Sequence, residues 1–317
     1  MLTAASVIFP IIAIIALGFL LVWADMFTAD QNTALNKFVF MIAAPALLFR
    51  NVAGTEFPEA APWGLWMSYY LVMFGCMAVS IGLARVLMSH RSWAACVVIG
   101  FGSSFSNTVM LGIPIILTAF GDEAALPLFL VLAFHGLLIF STGILLMELT
   151  TRPSRSLRGI ISALPQALSN QSVLIALLAG VLWNMSGLNL PDPADRFLDV
   201  LGQAAIPLAL VAIGGTLATV PVRRSVGVAV YMSGFKLVVQ PAATYAFAKF
   251  VFGLPPLWVA TITLLAAMPT GVLTSVLAER YHAAPGAASS SIMVSCVAAI
   301  ATLSFWLIFF APLLRAY

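Results

Sequence analysis

The chain is poor in charge. Only 8% of its 317 residues are charged and 62% are hydrophobic. A soluble globular protein carries about 25% charged residues, so these few cannot cover the surface of a water-soluble domain of this size. The same composition excludes a disordered chain, which needs low hydrophobicity and high charge. It indicates an integral membrane protein that is buried largely in lipid.

Cysteine and clustered basic residues are also scarce. The three cysteines, Cys76, Cys96 and Cys296, form no C-x-x-C pair, so neither a zinc site nor a disulfide framework is indicated. The net charge is only +3 and no basic run is interleaved with aromatic residues, which argues against a nucleic-acid partner. The N-terminal apolar run lacks a basic flank and a cleavage pattern, so it is interpreted as a first membrane span. We expect no metal site and no bound cofactor.

Long apolar runs are what the sequence does contain. A membrane-spanning helix needs about 20 predominantly apolar residues. Ten such runs lie near 4–23, 31–52, 64–88, 93–119, 125–149, 166–187, 197–219, 225–252, 256–280 and 288–313. The runs are continuous rather than alternating, which excludes the strands of a membrane barrel. The predicted fold is therefore an all-α integral membrane protein with ten transmembrane helices.

The ten runs fall into two halves of five. The polar segment 150–165 separates residues 1–149 from residues 166–317, and a shift of 162–163 residues superimposes the runs of one half on those of the other. Because five is an odd number, the two halves must lie in the membrane with opposite orientations, as inverted repeats. The excess of arginine in alternate loops predicts a cytoplasmic linker at 150–165 and both termini outside the cytoplasm.

The fourth and ninth runs are interrupted by small and polar residues at corresponding positions of the two halves. The candidate substrate-binding residues there are Ser103, Ser104, Ser106, Asn107, Thr108, Pro114, Pro269, Thr270 and Gly271. A single proline in a membrane helix is more often a packing kink, but a matched pair of interruptions points to a substrate site near the membrane centre. The N-terminus of a half-helix carries partial positive charge and free N–H groups, which suit an anion such as a carboxylate.

Three polar residues lie deep in other runs and are candidates for coupling or counter-charge. Lys236 could neutralise a substrate carboxylate directly or through Gln240, while pairing with a buried acid or snorkelling to the interface is equally consistent with its position. His135 could carry a coupling proton, although a neutral histidine bonded to a carbonyl is the commoner case.

Several motifs resemble the auxin efflux carrier family along the whole chain. They are residues 35–40 with 45–49, residues 106–114, and residues 268–271 with 278–281. The resemblance implies crossed fourth and ninth helices, a scaffold part from helices 1, 2, 6 and 7, and a transport part from helices 3–5 and 8–10. It also implies elevator-type alternating access, a homodimer and, for a bacterial member, the inner membrane. Plant members carry proline where this chain has Ser106 and a long cytosolic loop that is absent here, so a malonate-like carboxylate is favoured over auxin.

The sequence thus predicts a secondary active transporter of a small organic anion. A sodium-coupled symporter similar to the bile-acid symporters and an auxin-like aromatic acid exporter are the alternatives, and H+ coupling, Na+ coupling and uniport stay open. An intramembrane hydrolase would need a paired-Asp or Ser–His constellation at depth. A channel would need a polar lining shared by several helices. Both rank lower, and we expect the protein not to be an enzyme.

Overall fold

The computed structural model describes residues 4–55, 62–151, 172–219 and 225–314, and every regular element within these ranges is helical. The helices are α1 (Ala4–Trp23), α2 (Ala29–Gly54), α3 (Trp63–Leu87), α4 (Trp93–Gly102), α5 (Thr108–Gly112 continued by Ile113–Phe120), α6 (Ala125–Thr151), α7 (Ser172–Met185), α8 (Asp192–Thr219), α9 (Val226–Val251), α10 (Pro256–Ala267), α11 (Leu273–Arg280) and α12 (Pro285–Phe309). The predicted all-α fold is confirmed for these residues. The predicted linker lies outside them, except for its first two residues.

Six helical stretches of the described residues are long and apolar enough to cross a membrane. They are Ala29–Gly54, Trp63–Leu87, Thr108–Thr151, Asp192–Thr219, Val226–Val251 and Pro285–Phe309. The stretch Thr108–Thr151 holds both α5 and α6, which are separated at Gly121, where φ is 68° and glycine is the natural residue. Four further apolar stretches are shorter. The protein is therefore an integral membrane protein, while ten spanning helices in inverted repeats stay a prediction.

Side-chain caps start two of the helices. Thr28 caps α2, because its hydroxyl accepts the N–H of Gln31 at 3.2 Å while the Gln31 side chain accepts the N–H of Thr28 at 2.9 Å. Ser92 caps α4 by accepting the N–H of Ala95 at 3.2 Å. Such caps satisfy backbone donors that a helix leaves unpaired at its start.

Glycines let α1 pack closely on α8 and α7 pack closely on α2. A side chain at Gly214 of α8 would overlap the backbone of Ile15 in α1, and one at Gly18 of α1 would overlap the backbone of Val211 in α8. Gly180 of α7 lies in the same way against α2. Small residues permit this close approach, which drives helix association where lipid is as apolar as the side chains.

Polar contacts join α2 to α8 at two levels. The guanidinium of Arg50 pairs with the carboxylates of Asp195 at 2.7 Å and Asp199 at 2.8 Å. Further along α2, the buried amide of Asn32 donates to the carbonyl oxygen of Ala212 at 3.2 Å. These directional contacts fix the register of the two helices.

Aromatic donors hold α3 against α6. The indole N–H of Trp66 donates to the carbonyl oxygen of Leu130 at 2.9 Å, and the hydroxyl of Tyr70 donates to the carbonyl oxygen of Val131. Both contacts add a second donor to a helical carbonyl, so they leave the helix intact while setting the distance between α3 and α6.

Exchanging Gly214 for alanine tests the packing of α1 on α8. We expect Gly214→Ala to lose about 1–3 kcal/mol of stability, because the added methyl group must displace helix backbone. Its matched control is Gly75→Ala in α3, where a methyl group meets nothing within 4 Å. That control should be neutral or slightly stabilising. The measurement is the melting temperature of each purified protein in detergent. Equal values for both variants would contradict the packing argument.

Candidate functional site

The two interrupted helices cross at their interruptions. Residues 103–107 separate α4 from α5, and residues 268–272 separate α10 from α11. The N–H of Asn107 donates to the carbonyl oxygen of Pro269 at 2.9 Å, and the N–H of Gly271 donates to that of Phe105 at 2.9 Å. These two bonds set Ser106 antiparallel to Thr270. The interruptions that the sequence indicates in separate halves of the chain are therefore in direct contact, and we call this contact the crossing.

Side chains satisfy the helix ends that the crossing leaves open. The hydroxyl of Thr270 donates to the carbonyl oxygen of Gly102 at the end of α4, at 3.0 Å. The N–H of Thr270 itself donates to the hydroxyl of Ser295 in α12, also at 3.0 Å. At the end of α10, the carbonyl oxygen of Ala266 accepts the ammonium of Lys236. Unpaired backbone groups cost several kcal/mol each in hydrocarbon, so these contacts are what makes the interruptions tolerable.

A cavity of about 290 Å³ lies beside the crossing. Most of its wall is apolar and comes from α2, α5, α6, α7 and α11. Its polar lining consists of Ser106, Asn107, Thr108, His135, Ser172 and two backbone glycines, Gly136 and Gly271. None of the described residues in this lining carries a permanent charge. An apolar pocket with a few convergent polar groups is the usual form of a small-molecule site.

The polar end of the cavity lies at the start of α5. Asn107 occupies the position before the first turn, and its side chain makes no capping hydrogen bond. The N–H of Thr108 donates to the carbonyl oxygen of Ser106 at 2.9 Å, whereas the N–H groups that follow it in a first helical turn have no carbonyl partner within the helix and carry partial positive charge. This end of the cavity can therefore bind an anionic oxygen.

Tyr69 is a residue of this region that the sequence analysis missed. It is fully buried, its hydroxyl faces the side chain of Ser106, and its ring centroid lies 5.6 Å from that of His135. The Tyr69 and Ser106 hydroxyls and both ring nitrogens of His135 lack hydrogen bonds of normal geometry to the described residues. The only sequence signal was a tyrosine pair inside an apolar run. Buried polar groups left this way cost about 1–3 kcal/mol each, so these four atoms mark a region whose polar groups the fold leaves unsatisfied.

His135 is held in place by aromatic rings. Its imidazole stacks on Phe105 with ring centroids 5.5 Å apart and an interplanar angle of 14°. Phe105 belongs to the first interruption, so the crossing and the α6 wall of the cavity are in contact through this stack. His135 is thus a cavity residue, and its position suits ligand contact as well as proton transfer.

The predicted site residues divide into two groups. Ser106, Asn107, Thr108, Gly271 and His135 line the cavity. Ser103 and Ser104 do not, because their hydroxyls donate to carbonyl oxygens one turn earlier in α4, at 2.8 Å and 3.0 Å.

The two prolines have different positions. Pro269 lies within the second interruption and supplies a carbonyl acceptor to the crossing. Pro114 lies in the first turn of the segment Ile113–Phe120, where a missing N–H is tolerated. The first interruption therefore comes from the small and polar residues before α5, and not from Pro114.

Lys236 and Gln240 lie behind the crossing and do not line the cavity. Both are fully buried, and the Lys236 ammonium donates to Oε1 of Gln240 at 3.0 Å. The described residues contain no group of three or more His, Cys, Asp or Glu side chains able to hold a metal ion.

Removing the Thr270 hydroxyl tests the crossing. We expect Thr270→Val to lose about 1–3 kcal/mol of stability, since the buried carbonyl of Gly102 loses its only side-chain donor. Thr142→Val is the matched control, because the Thr142 hydroxyl also bonds a helical carbonyl but lies on an exposed face of α6. The melting temperature should fall only for the first variant. An unchanged value there would show that the crossing does not depend on this bond.

Known proteins resemble the chain along nearly its full length. A family model described as membrane transport protein matches residues 3–307. A Rhizobium meliloti protein provisionally named as a malonate transporter is 26% identical over 303 residues, covering 94% of this chain and 93% of the relative. Auxin efflux carrier component 8 of Arabidopsis thaliana is 24% identical over 351 residues, covering 92% and 93%. An uncharacterized transporter of Methanothermobacter thermautotrophicus is 25% identical over 307 residues, covering 96% and 97%. The chain therefore belongs to the membrane transport protein family, which is the auxin efflux carrier family that its motifs resemble, and it is a transporter rather than an enzyme.

Proposed function

We propose that the protein is a secondary active transporter of a small organic anion whose carboxylate binds at the crossing. The observation that carries this proposal is the cavity of about 290 Å³ that ends at the start of α5 beside Ser106 and Asn107. Free N–H groups and partial positive charge at a helix N-terminus favour an anion. The apolar remainder of the wall suits a short carbon skeleton.

The polar groups around this end suggest how a ligand is oriented. The carboxylate accepts hydrogen bonds from the first turn of α5 and from the amide of Asn107. Ser106 and the imidazole of His135 line the cavity to one side and complete the shell, and the buried hydroxyl of Tyr69 lies behind them. The name of one relative favours malonate and that of another favours auxin, an aromatic acid. Both ligands share the carboxylate that this end of the cavity suits.

Elevator-type alternating access is the mechanism that we propose. The close packing of α1 on α8 and of α2 on α7 supports a scaffold built from these four helices. These two pairs are also related by the predicted repeat, since α1 and α7 begin their halves and α2 and α8 follow them. The crossing and most of the polar cavity groups lie on the other helices, which would move as the transport part. Residues 1–149 and 166–317 as inverted repeats, a homodimer in the bacterial inner membrane and external termini belong to the same proposal.

Sodium-coupled symport ranks second. A sodium ion at the crossing would need backbone carbonyls that the interruptions leave free. The carbonyl oxygens of Gly102, Phe105, Ala266 and Pro269 already accept protein donors. This occupancy favours proton coupling or uniport.

A ligand screen tests the proposed function. We expect at least one small carboxylate to raise the melting temperature of the purified protein, with malonate and an indole carboxylic acid as probes and their amides as neutral controls. A ligand at 100 times its Kd stabilises by about 2.7 kcal/mol. Repeating the screen with and without sodium separates the two coupling schemes. A protein that no carboxylate stabilises would contradict the proposal.

Replacing Asn107 tests the assigned end of the cavity. We expect Asn107→Ala to weaken the binding of the stabilising carboxylate about tenfold, since a charge-assisted hydrogen bond contributes about 1.5–3 kcal/mol. Asn36→Ala is the control, because Asn36 is half-buried on α2 and bonds to Asn32, outside the cavity. Titration calorimetry and uptake into proteoliposomes are the measurements. Normal affinity in Asn107→Ala would show that the carboxylate binds at another place in the protein.

A further inference from the structure

Lys236 is a buried cation whose contacts are neutral. Its side chain is fully buried, and its ammonium donates to Oε1 of Gln240 at 3.0 Å and to the carbonyl oxygen of Ala266. The ion pairs within the described ranges join Arg50 to two aspartates and do not involve this lysine. An ammonium buried in a membrane protein without an anion is costly, which points to a functional reason for keeping it.

The position of Lys236 connects it to the crossing. In a continuous helix the carbonyl oxygen of Ala266 would accept the N–H of Thr270, which instead bonds to Ser295. The ammonium replaces that lost donor at the negative end of α10.

The π-helical turn Phe235–Val239 of α9 carries Lys236, and such turns are frequent at functional sites. The equivalent end of α4 is capped by the neutral hydroxyl of Thr270, so a protonated Lys236 would be the single charged cap at the crossing.

Few other ionisable groups share this environment. On the helices that pack around Lys236, the α10 sequence has no ionisable side chain, α12 contributes Cys296 and α3 contributes Cys76. On α6, His135 lies within electrostatic range of Lys236 and also lines the cavity. The charge of Lys236 therefore reaches the cavity through a water-poor region, where charges interact more strongly than in solvent.

Resting on the proposed function, we infer that the crossing accepts a ligand with one negative charge and that Lys236 is its resident counter-charge. One ammonium balances one carboxylate. A second negative charge would enter a cavity whose lining, as far as the described residues form it, holds no cation. A monocarboxylate therefore binds in the singly charged form that it has in solution. A dicarboxylate such as malonate binds as its monoanion, with one carboxyl group protonated.

The pH dependence of binding to the wild-type protein tests this inference. Malonate and propionate are titrated by calorimetry between about pH 5 and pH 8. Above the second dissociation of malonic acid, the apparent Kd of malonate should rise about tenfold per pH unit, because the monoanion fraction falls in that proportion. Once propionic acid is fully ionised, the Kd of propionate should stay constant with rising pH, which controls for titration of His135, Cys76, Cys296 or Lys236 itself.

The outcomes separate the inference from the proposed function. A constant Kd for malonate over this range, or a parallel change for both ligands, would overturn the single-charge inference and leave the anion transporter in place. If neither these nor any other carboxylate binds at any pH, the proposed function itself fails.

Neutralising Lys236 gives a second test. Lys236→Gln keeps a donor for the carbonyl of Ala266 but removes the charge, so we expect propionate to bind about tenfold more weakly. The ligand-free protein should keep or raise its melting temperature. Lys249→Gln is the matched control on the same helix, where the exposed Lys249 bonds to the hydroxyl of Tyr245. A lower melting temperature with unchanged affinity in Lys236→Gln would show a purely structural role and overturn the inference.

Discussion

Backbone hydrogen bonding without water is the constraint on which this structure depends. Hydrocarbon offers no partner to a free N–H or C=O group, so an interrupted membrane helix must find protein partners for both of its new ends. Here two interruptions satisfy one another through the backbone bonds at Ser106 and Thr270. The remaining ends are capped by the hydroxyl of Thr270 and the ammonium of Lys236. Neither interruption would be stable alone, which is why they occur as a pair.

The same arrangement creates the end of the cavity at which we propose that an anion binds. Where α4 stops and α5 restarts, Ser106, Asn107 and Thr108 line a space that neighbouring helices do not fill. The wall opposite is made of apolar side chains and of His135, which Phe105 of the interruption holds by stacking. Fold stability and ligand binding therefore share residues. A substitution at the crossing is expected to affect both, and for that reason binding and melting temperature have to be measured separately.

The sequence was sufficient to predict the membrane class, the helical fold and the two interruptions. Composition and run length are averages over many residues, and Pro269 and Asn107 are local signals that need no distant partner. The caps could not be predicted, because Ser295, Thr270 and Gly102 meet only after three helices have packed. Tyr69 was missed for the same reason, since a tyrosine within an apolar run is usually a packing residue.

The positions of the charged residues are informative only when the sequence and the structure are considered together. The low charge content first indicated only a membrane protein. Most of the charges on described residues lie near helix ends, where solvation or ion pairs such as Arg50 with Asp195 stabilise them. Lys236 alone among the described cations is fully buried, and it lies on a helix end that exists only because α10 is interrupted. The interruption thus accounts for both parts of the proposed anion site, the partial charges of a helix start and the buried lysine inferred to be the counter-charge.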